Sequence, residues 1–207
     1  IDEVKDDCKG SLELLVASSK SMPIQSKIVD LVITSPPYCT RIDYGVATYP
    51  ELSILLGDKP ERIDTLRRQL IGRTTIDKDS TGLPFVSEKS IEFMNAVEMH
   101  ESHASSNYYL KNFKQYFADM QISFSEISRV IKDNGVFVCV VQDSYYKEIY
   151  CDLSHIIVEI AAVNGFTLKD KQDFQAKNVM ANIHAGTKKY RSKVTAIESV
   201  LVFKKQG

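Results

Sequence analysis

The 207-residue sequence has little of what would take it out of the globular class. Its longest uninterrupted apolar run, Val136-Phe137-Val138-Cys139-Val140-Val141, is far short of the roughly 20 residues that a membrane helix requires. Its opening residues do not resemble a secretory leader, so export is not expected. Cys8, Cys39, Cys139 and Cys151 share no CxxC spacing, which argues against a zinc site or a disulfide framework. Buried free thiols in a reducing compartment are the expectation. Nine glycines and six prolines, with no repeat among them, exclude a collagen-like or low-complexity chain. With 43% hydrophobic and 26% charged residues, a single domain that buries roughly 70% of its unfolded surface is expected.

A net charge of -1 conceals an uneven distribution. From residue 167 to 207, nine Lys and Arg face three acids, a balance of +6, which leaves -7 on the first 166 residues. A basic C-terminal third suits a polyanionic partner, and a solvated charged face equally. The chain starts at Ile1 rather than Met, and is therefore expected to be part of, or processed from, something longer.

Periodicity supplies the architecture. Residues Ile28 to Thr34 form a β-branched run that must stop at Ser35-Pro36-Pro37-Tyr38, since proline cannot donate to a ladder, and they read as a buried strand. From Phe113 to Lys132, apolar residues recur at helical spacing, and Asp133-Asn134-Gly135 supplies the stop. A second buried strand over Val136–Val141 and a helix over Leu153–Asn164, closed by Gly165, complete an α/β alternation. Strands near Thr167–Gln175 and Ser199–Lys204 are placed to pair antiparallel at a sheet edge. Between Ser53 and Ser106, helical pieces near Glu61–Ile71 and Glu88–His100 flank a loop at Thr74–Gly82 and read as an inserted helical cap. Arg62, Arg67, Arg68 and Arg73 have spacings compatible with one exposed face, which suits phosphate contacts or an ordinary solvated helix.

Ser35-Pro36-Pro37-Tyr38 is the informative tetrapeptide, because it sits at the carboxyl end of a strand, where open α/β sheets bind ligands. Two prolines fix two φ angles and leave a stiff loop whose carbonyls are free to accept hydrogen bonds from a ligand. Tyr38 adds an aromatic face able to stack on a planar base. Asp143, at the end of the second strand, either borders this cleft or caps the next helix. His100 and His103 lie beside Glu98 and Glu101 and read as a charged helix end rather than a metal pair, and His184 reads as a loop histidine.

Thr34-Ser35-Pro36-Pro37-Tyr38 resembles the catalytic motif of the amino-group DNA methyltransferases, which act on cytosine N4 or adenine N6. The continuation Arg41-Ile42-Asp43-Tyr44, and Asp133-Asn134-Gly135 followed by a strand ending in Asp143-Ser144, are also similar to bacterial members. The resemblance implies a partial Rossmann-like class I methyltransferase sheet, with a helical insertion at about 53–106, within one catalytic region over residues 1–207. It further implies S-adenosylmethionine as cofactor, double-stranded DNA as partner, a restriction-modification context and a cytoplasmic, nucleoid-associated location. Catalytic roles fall on Ser35, Pro36, Pro37 and Tyr38, with Thr34, Ser35 and Asp7 as candidate cofactor contacts. Arg62, Arg67, Arg68, Arg73, Lys188, Lys189, Arg191 and Lys193 are candidate DNA contacts. Serine at the first motif position leans toward cytosine N4, and argues against an RNA methyltransferase acting on the guanine amino group.

The glycines are never two residues apart, so the chain has no turn resembling Phe-x-Gly-x-Gly to let backbone approach the donor's methionine portion. The donor-binding half is therefore expected upstream, downstream in a permuted order, or in a second polypeptide. Its absence keeps open a non-catalytic subunit that lends a DNA surface to a partner methyltransferase.

Overall fold

The computed structural model describes residues 10–39, 42–57, 60–73, 86–102, 108–176 and 196–207. The β-branched run forms strand β1 (Val29–Thr34) and ends where the prolines remove ladder donors. Helices α1 (Tyr44–Ala47), α2 (Tyr49–Leu56), α3 (Pro60–Gln69) and α4 (Glu88–Met99) follow. The long helix α5 (Leu110–Val130) leads directly into strand β2 (Ile131–Gln142). A hairpin of β3 (Ser144–Tyr146) and β4 (Ile149–Cys151), helix α6 (Leu153–Val163) and strands β5 (Phe166–Ala176) and β6 (Ala196–Lys205) complete the chain. Among the described residues no helix is long and apolar enough to cross a membrane.

The main sheet has the order β1-β2-β6-β5, with β1 parallel to β2 and the other neighbours antiparallel. β5 and β6 pair as the sequence leads one to expect, though β6 lies inside the sheet and only β5 at its edge. One face is packed. Phe137 and Phe203 stack with centroids 5.6 Å apart, and Phe124 of α5 meets Phe137 edge-on at 5.1 Å. Ile156, Ile157 and Ile160 of α6 complete this core, all fully buried. Truncating any of these aromatics is expected to cost about 3–5 kcal/mol in cavity and lost transfer energy.

The opposite face is open. Side chains alternate along a strand, so Leu31 and Ile33 point away from α5 and are 50% and 69% exposed. In register beside them, Val136, Val138, Val140, Val200 and Val202 are only partly buried. The expectation that β1 is a buried strand is thus corrected. It is an edge strand in a sheet whose helices α5 and α6 lie on one side, and its β-branched composition reports a surface awaiting cover rather than one already covered.

The turn after α5 also differs from expectation. The helix stops at Val130, with Ile131 already extended (φ -77°, ψ 140°) and paired with Val29. Asp133-Asn134-Gly135 instead forms an irregularity inside β2, where the partner of β1 jumps from Ile131 to Val136. Asn134 takes the left-handed conformation (φ 65°), and a Cβ at Gly135 would lie 2.7 Å from Ile131 Cγ1. Gly165 closes α6 as expected, at φ 80°. Helices α1 and α2 are not foreseen by the periodicity, and the loop at Thr74–Gly82 lies outside the described residues.

Candidate active site

Ser35, Pro36, Pro37 and Tyr38 leave the carboxyl end of β1 beside the end of β2, since Thr34 pairs with Cys139. Ser35 is exposed, Thr34, Pro36, Pro37 and Tyr38 are half-buried, and Cys39 is buried. Neither the Ser35 hydroxyl nor the Pro36 carbonyl engages another described residue, so both remain available as acceptors. Three elements hold the loop. The Tyr116 hydroxyl, from α5, donates to the Pro37 carbonyl at 2.9 Å. The Tyr38 N–H donates to the Tyr44 hydroxyl at 3.3 Å. The turn at Gly72 (φ 76°) passes so close that a Cβ there would stand 3.7 Å from the Tyr38 carbonyl.

Burial tunes these groups toward neutrality. Desolvation pushes the Tyr116 hydroxyl well above its ordinary range, which keeps it a donor. Burial, reinforced by the neighbouring Cys151 thiol, likewise raises Cys39 well above the usual thiol value, so it is not a thiolate nucleophile. Cys139 is pushed to about 12 by burial alone. Cys39, Cys139 and Cys151 are free and buried, as the sequence implies, while Cys8 lies outside the described residues.

Tyr116 is a positioning residue that the sequence shows only as part of a helical stripe. Removing its hydroxyl in Tyr116→Phe is expected to cost about 1 kcal/mol of stability, the net value of one hydrogen bond. If the bond sets the loop, kcat of the activity proposed below falls about tenfold while KM stays within twofold. Steady-state kinetics beside a thermal melt test this, and an unchanged kcat would show that the loop does not depend on the tether.

The arginines of the insertion do not share one exposed face. Arg67 is held by Asp43, with Nε at 2.7 Å, and Asp43 also caps α1 by accepting from the Val46 N–H. Arg73 is enclosed and donates to Asp119 at 2.9 Å, where Lys20 binds the other carboxylate oxygen at 2.8 Å. The shared exposed face expected of these arginines is not formed, because Arg67 neutralises the Asp43 carboxylate and Arg73, with Lys20, that of Asp119. Arg62 and Arg68 face solvent, with Arg68 paired to Asp64 one turn away. Lys188, Lys189, Arg191 and Lys193 lie outside the described residues, as do Asp7, Arg41, His103 and His184.

Asp143 follows β2 and is buried. Its Oδ2 accepts the Tyr150 hydroxyl and it also meets a backbone N–H at Ser154, while Asp152 is the residue that caps α6. Burial raises Asp143 above the usual carboxylate range. His100 ends α4 and pairs with Glu148 at 2.8 Å, and no cluster able to hold a metal occurs among the described residues.

One pattern was not foreseen from sequence. Among the described residues, the buried side-chain polar atoms without a partner belong to Arg73, Asn112, Asp143 and Ser144. Arg73 follows the Gly72 turn, Asp143 and Ser144 follow β2, and Asn112 lies one helical turn before Tyr116. Native interiors leave few such groups unpaired, and each one calls for a partner.

A proline loop leaves the carboxyl end of a strand in an α/β sheet, the place where open sheets of the Rossmann-like kind put their ligands. Residues 29–207 match the DNA methylase family N6_N4_Mtase, and the chain belongs to that family. It is similar to the Type II methyltransferase M.AvaI of Nostoc sp. (strain PCC 7120 / SAG 25.82 / UTEX 2576) and of Anabaena variabilis. Each is 27% identical over 151 residues, a match that spans 68% of this chain and 31% of the relative. The chain thus covers about a third of the length of these relatives. Among solved structures it is similar to TTHA0409, a candidate DNA modification methylase of Thermus thermophilus, at 15% identity and a TM-score of 0.43 over 92% of this chain and 51% of that one. For the same protein complexed with S-adenosyl-L-methionine, the values are 16% and 0.47 over 93% and 54%.

Proposed function

We propose that this chain carries the methyl-acceptor half of an S-adenosylmethionine-dependent DNA methyltransferase that modifies an exocyclic base amine. The observation that carries this reading is the position of Ser35-Pro36-Pro37-Tyr38 at the carboxyl end of β1 with its acceptors open, in a member of the DNA methylase family. An exocyclic amine is a poor nucleophile because its lone pair is delocalised into the ring. Acceptors aimed at its N–H bonds draw it toward a tetrahedral geometry, and the Ser35 hydroxyl and Pro36 carbonyl are short and rigid enough to do so. Tyr38 holds the extruded base in a stack. A serine hydroxyl is not a base at neutral pH, so the amine proton leaves to solvent, and no covalent enzyme intermediate is required.

S-adenosylmethionine, when bound, supplies an electrophilic sulfonium methyl. No glycine-rich turn of this chain fits its methionine portion, so Thr34 and Ser35 border the donor at most, and a further segment or a second polypeptide holds it. Cytosine N4 is favoured over adenine N6 on the serine at the first motif position. The DNA-facing cations proposed here are Arg62 and Arg68 together with Lys188, Lys189, Arg191 and Lys193, and affinity through them falls as salt rises. A restriction-modification context is part of this proposal, suggested by the likeness to Type II methyltransferases.

The test is transfer of labelled methyl from S-adenosylmethionine to unmethylated plasmid DNA by the full-length protein, with nucleoside analysis of the product. N4-methylcytosine supports the reading in full, and N6-methyladenine corrects only the base. The missing glycine turn favours one second reading, a DNA-binding subunit without activity of its own. DNA binding without methylation until a partner is added would support that reading instead.

A further inference from the structure

Helix α5 leads straight into β2, and its last turn lies beside the start of β1, where the Lys27 and Ile28 N–H groups donate to the Arg129 and Val130 carbonyls. The first turn of α5 therefore stands at the opposite end of the sheet, the end that carries the catalytic loop, as the Tyr116–Pro37 hydrogen bond confirms. Asn112 is in that first turn, on the face shared with Tyr116 four residues on. It is 8% exposed, and both its Nδ2 and Oδ1 are buried without a partner. A carboxamide has two donors and an acceptor to satisfy, and leaving all of them unmet in an interior is costly. An apolar side chain of similar volume would serve α5 better, unless the amide acquires its partners from something that arrives.

We infer that Asn112 is a substrate-binding residue whose carboxamide pairs with the edge of the target base, a contact that deepens and rests on the function proposed above. On their Watson–Crick edges, cytosine and adenine show a ring-nitrogen acceptor beside the amine, and a carboxamide presents the complementary donor and acceptor side by side. Nδ2 donates to the ring nitrogen. Oδ1 accepts one amine N–H in company with the loop's own oxygens. The amide is enclosed, so the base reaches it when the Tyr44 and Tyr116 tethers give and the loop moves as a unit, its two proline φ angles unchanged. Guanine and thymine, which show a ring N–H beside a carbonyl, mismatch that arrangement.

Asn112→Leu and Asn112→Ala in the full-length protein separate this role from a structural one. Asn112→Leu removes an unsatisfied amide, so its melting temperature is expected to hold or rise by about 2 °C or more. Its methylation of unmethylated plasmid DNA is expected to drop about 10- to 100-fold in kcat/KM, and Asn112→Ala shows the same loss of activity. Wild-type activity in either variant overturns the inference. A melting temperature lowered in both variants in proportion to activity also overturns it, since it marks Asn112 as a packing residue. Ser35→Ala is the control for the underlying reading. If Ser35→Ala is inactive while the Asn112 variants are not, only the contact is wrong. If the wild type itself transfers no methyl, the contact and the reading fall together.

Discussion

Tyr38→Ala is expected to reduce methyl transfer by about 100-fold while leaving the fold intact. Base-aromatic stacking is worth about 1–3 kcal/mol per base, and each 1.36 kcal/mol is a tenfold change in rate, so the upper part of that range gives the stated loss. The extruded base gives up its stacking in the duplex and must recover it in the site, which places Tyr38 at the top of the range. The fold is spared because Tyr38 is only half-buried and its contact with Tyr44 runs through its backbone N–H, which alanine keeps. Tyr38→Phe preserves the aromatic face and should retain most activity. Kinetics on plasmid DNA, with a thermal melt for each variant, decide the matter, and full activity in Tyr38→Ala would remove the stacking role.

The second large effect concerns the donor. Titrating S-adenosylmethionine into the 207-residue chain alone is expected to give no saturable heat at concentrations up to about 1 mM, a limit that corresponds to roughly 4 kcal/mol of binding energy. The sequence has no two glycines close enough together to let backbone approach the ligand. Adding the segment or partner that carries a glycine-rich turn should bring binding into the micromolar range. Saturable one-to-one binding by the chain alone would contradict the split between donor and acceptor halves.

Much of this was legible in the residues. The end of β1 follows from two prolines, and α5 from its unbroken 3.6-residue stripe, because each rests on a strong local cause. The start of β2 was misplaced because Asp133-Asn134-Gly135 is good stop chemistry for a helix and good bulge chemistry for a strand. The choice was made by Ile131, which is drawn into the sheet against Val29 and fully buried. Within the site, the tetrapeptide declares itself through its odd composition. Its supports do not, because Tyr116 and Gly72 act across 34 to 79 residues of sequence and look like ordinary stripe and turn residues until the chain is folded. The pairing of Arg67 and Arg73 is hidden for the same reason, since the carboxylates that hold them come from Asp43 and Asp119.

The bare side of the sheet sets how this chain behaves in the hand. Seven aliphatic side chains, the exposed Leu31 and Ile33 and the partly buried Val136, Val138, Val140, Val200 and Val202, share this face beside the edge of β1 that no other described strand pairs. Such a face binds environment-sensitive dyes, and such an edge recruits further strands. Prepared on its own, the chain is therefore prone to stick to itself at the very strand that delivers the catalytic loop. A charged residue at Ile33, 69% exposed and remote from the core, is the simplest change for keeping it dispersed.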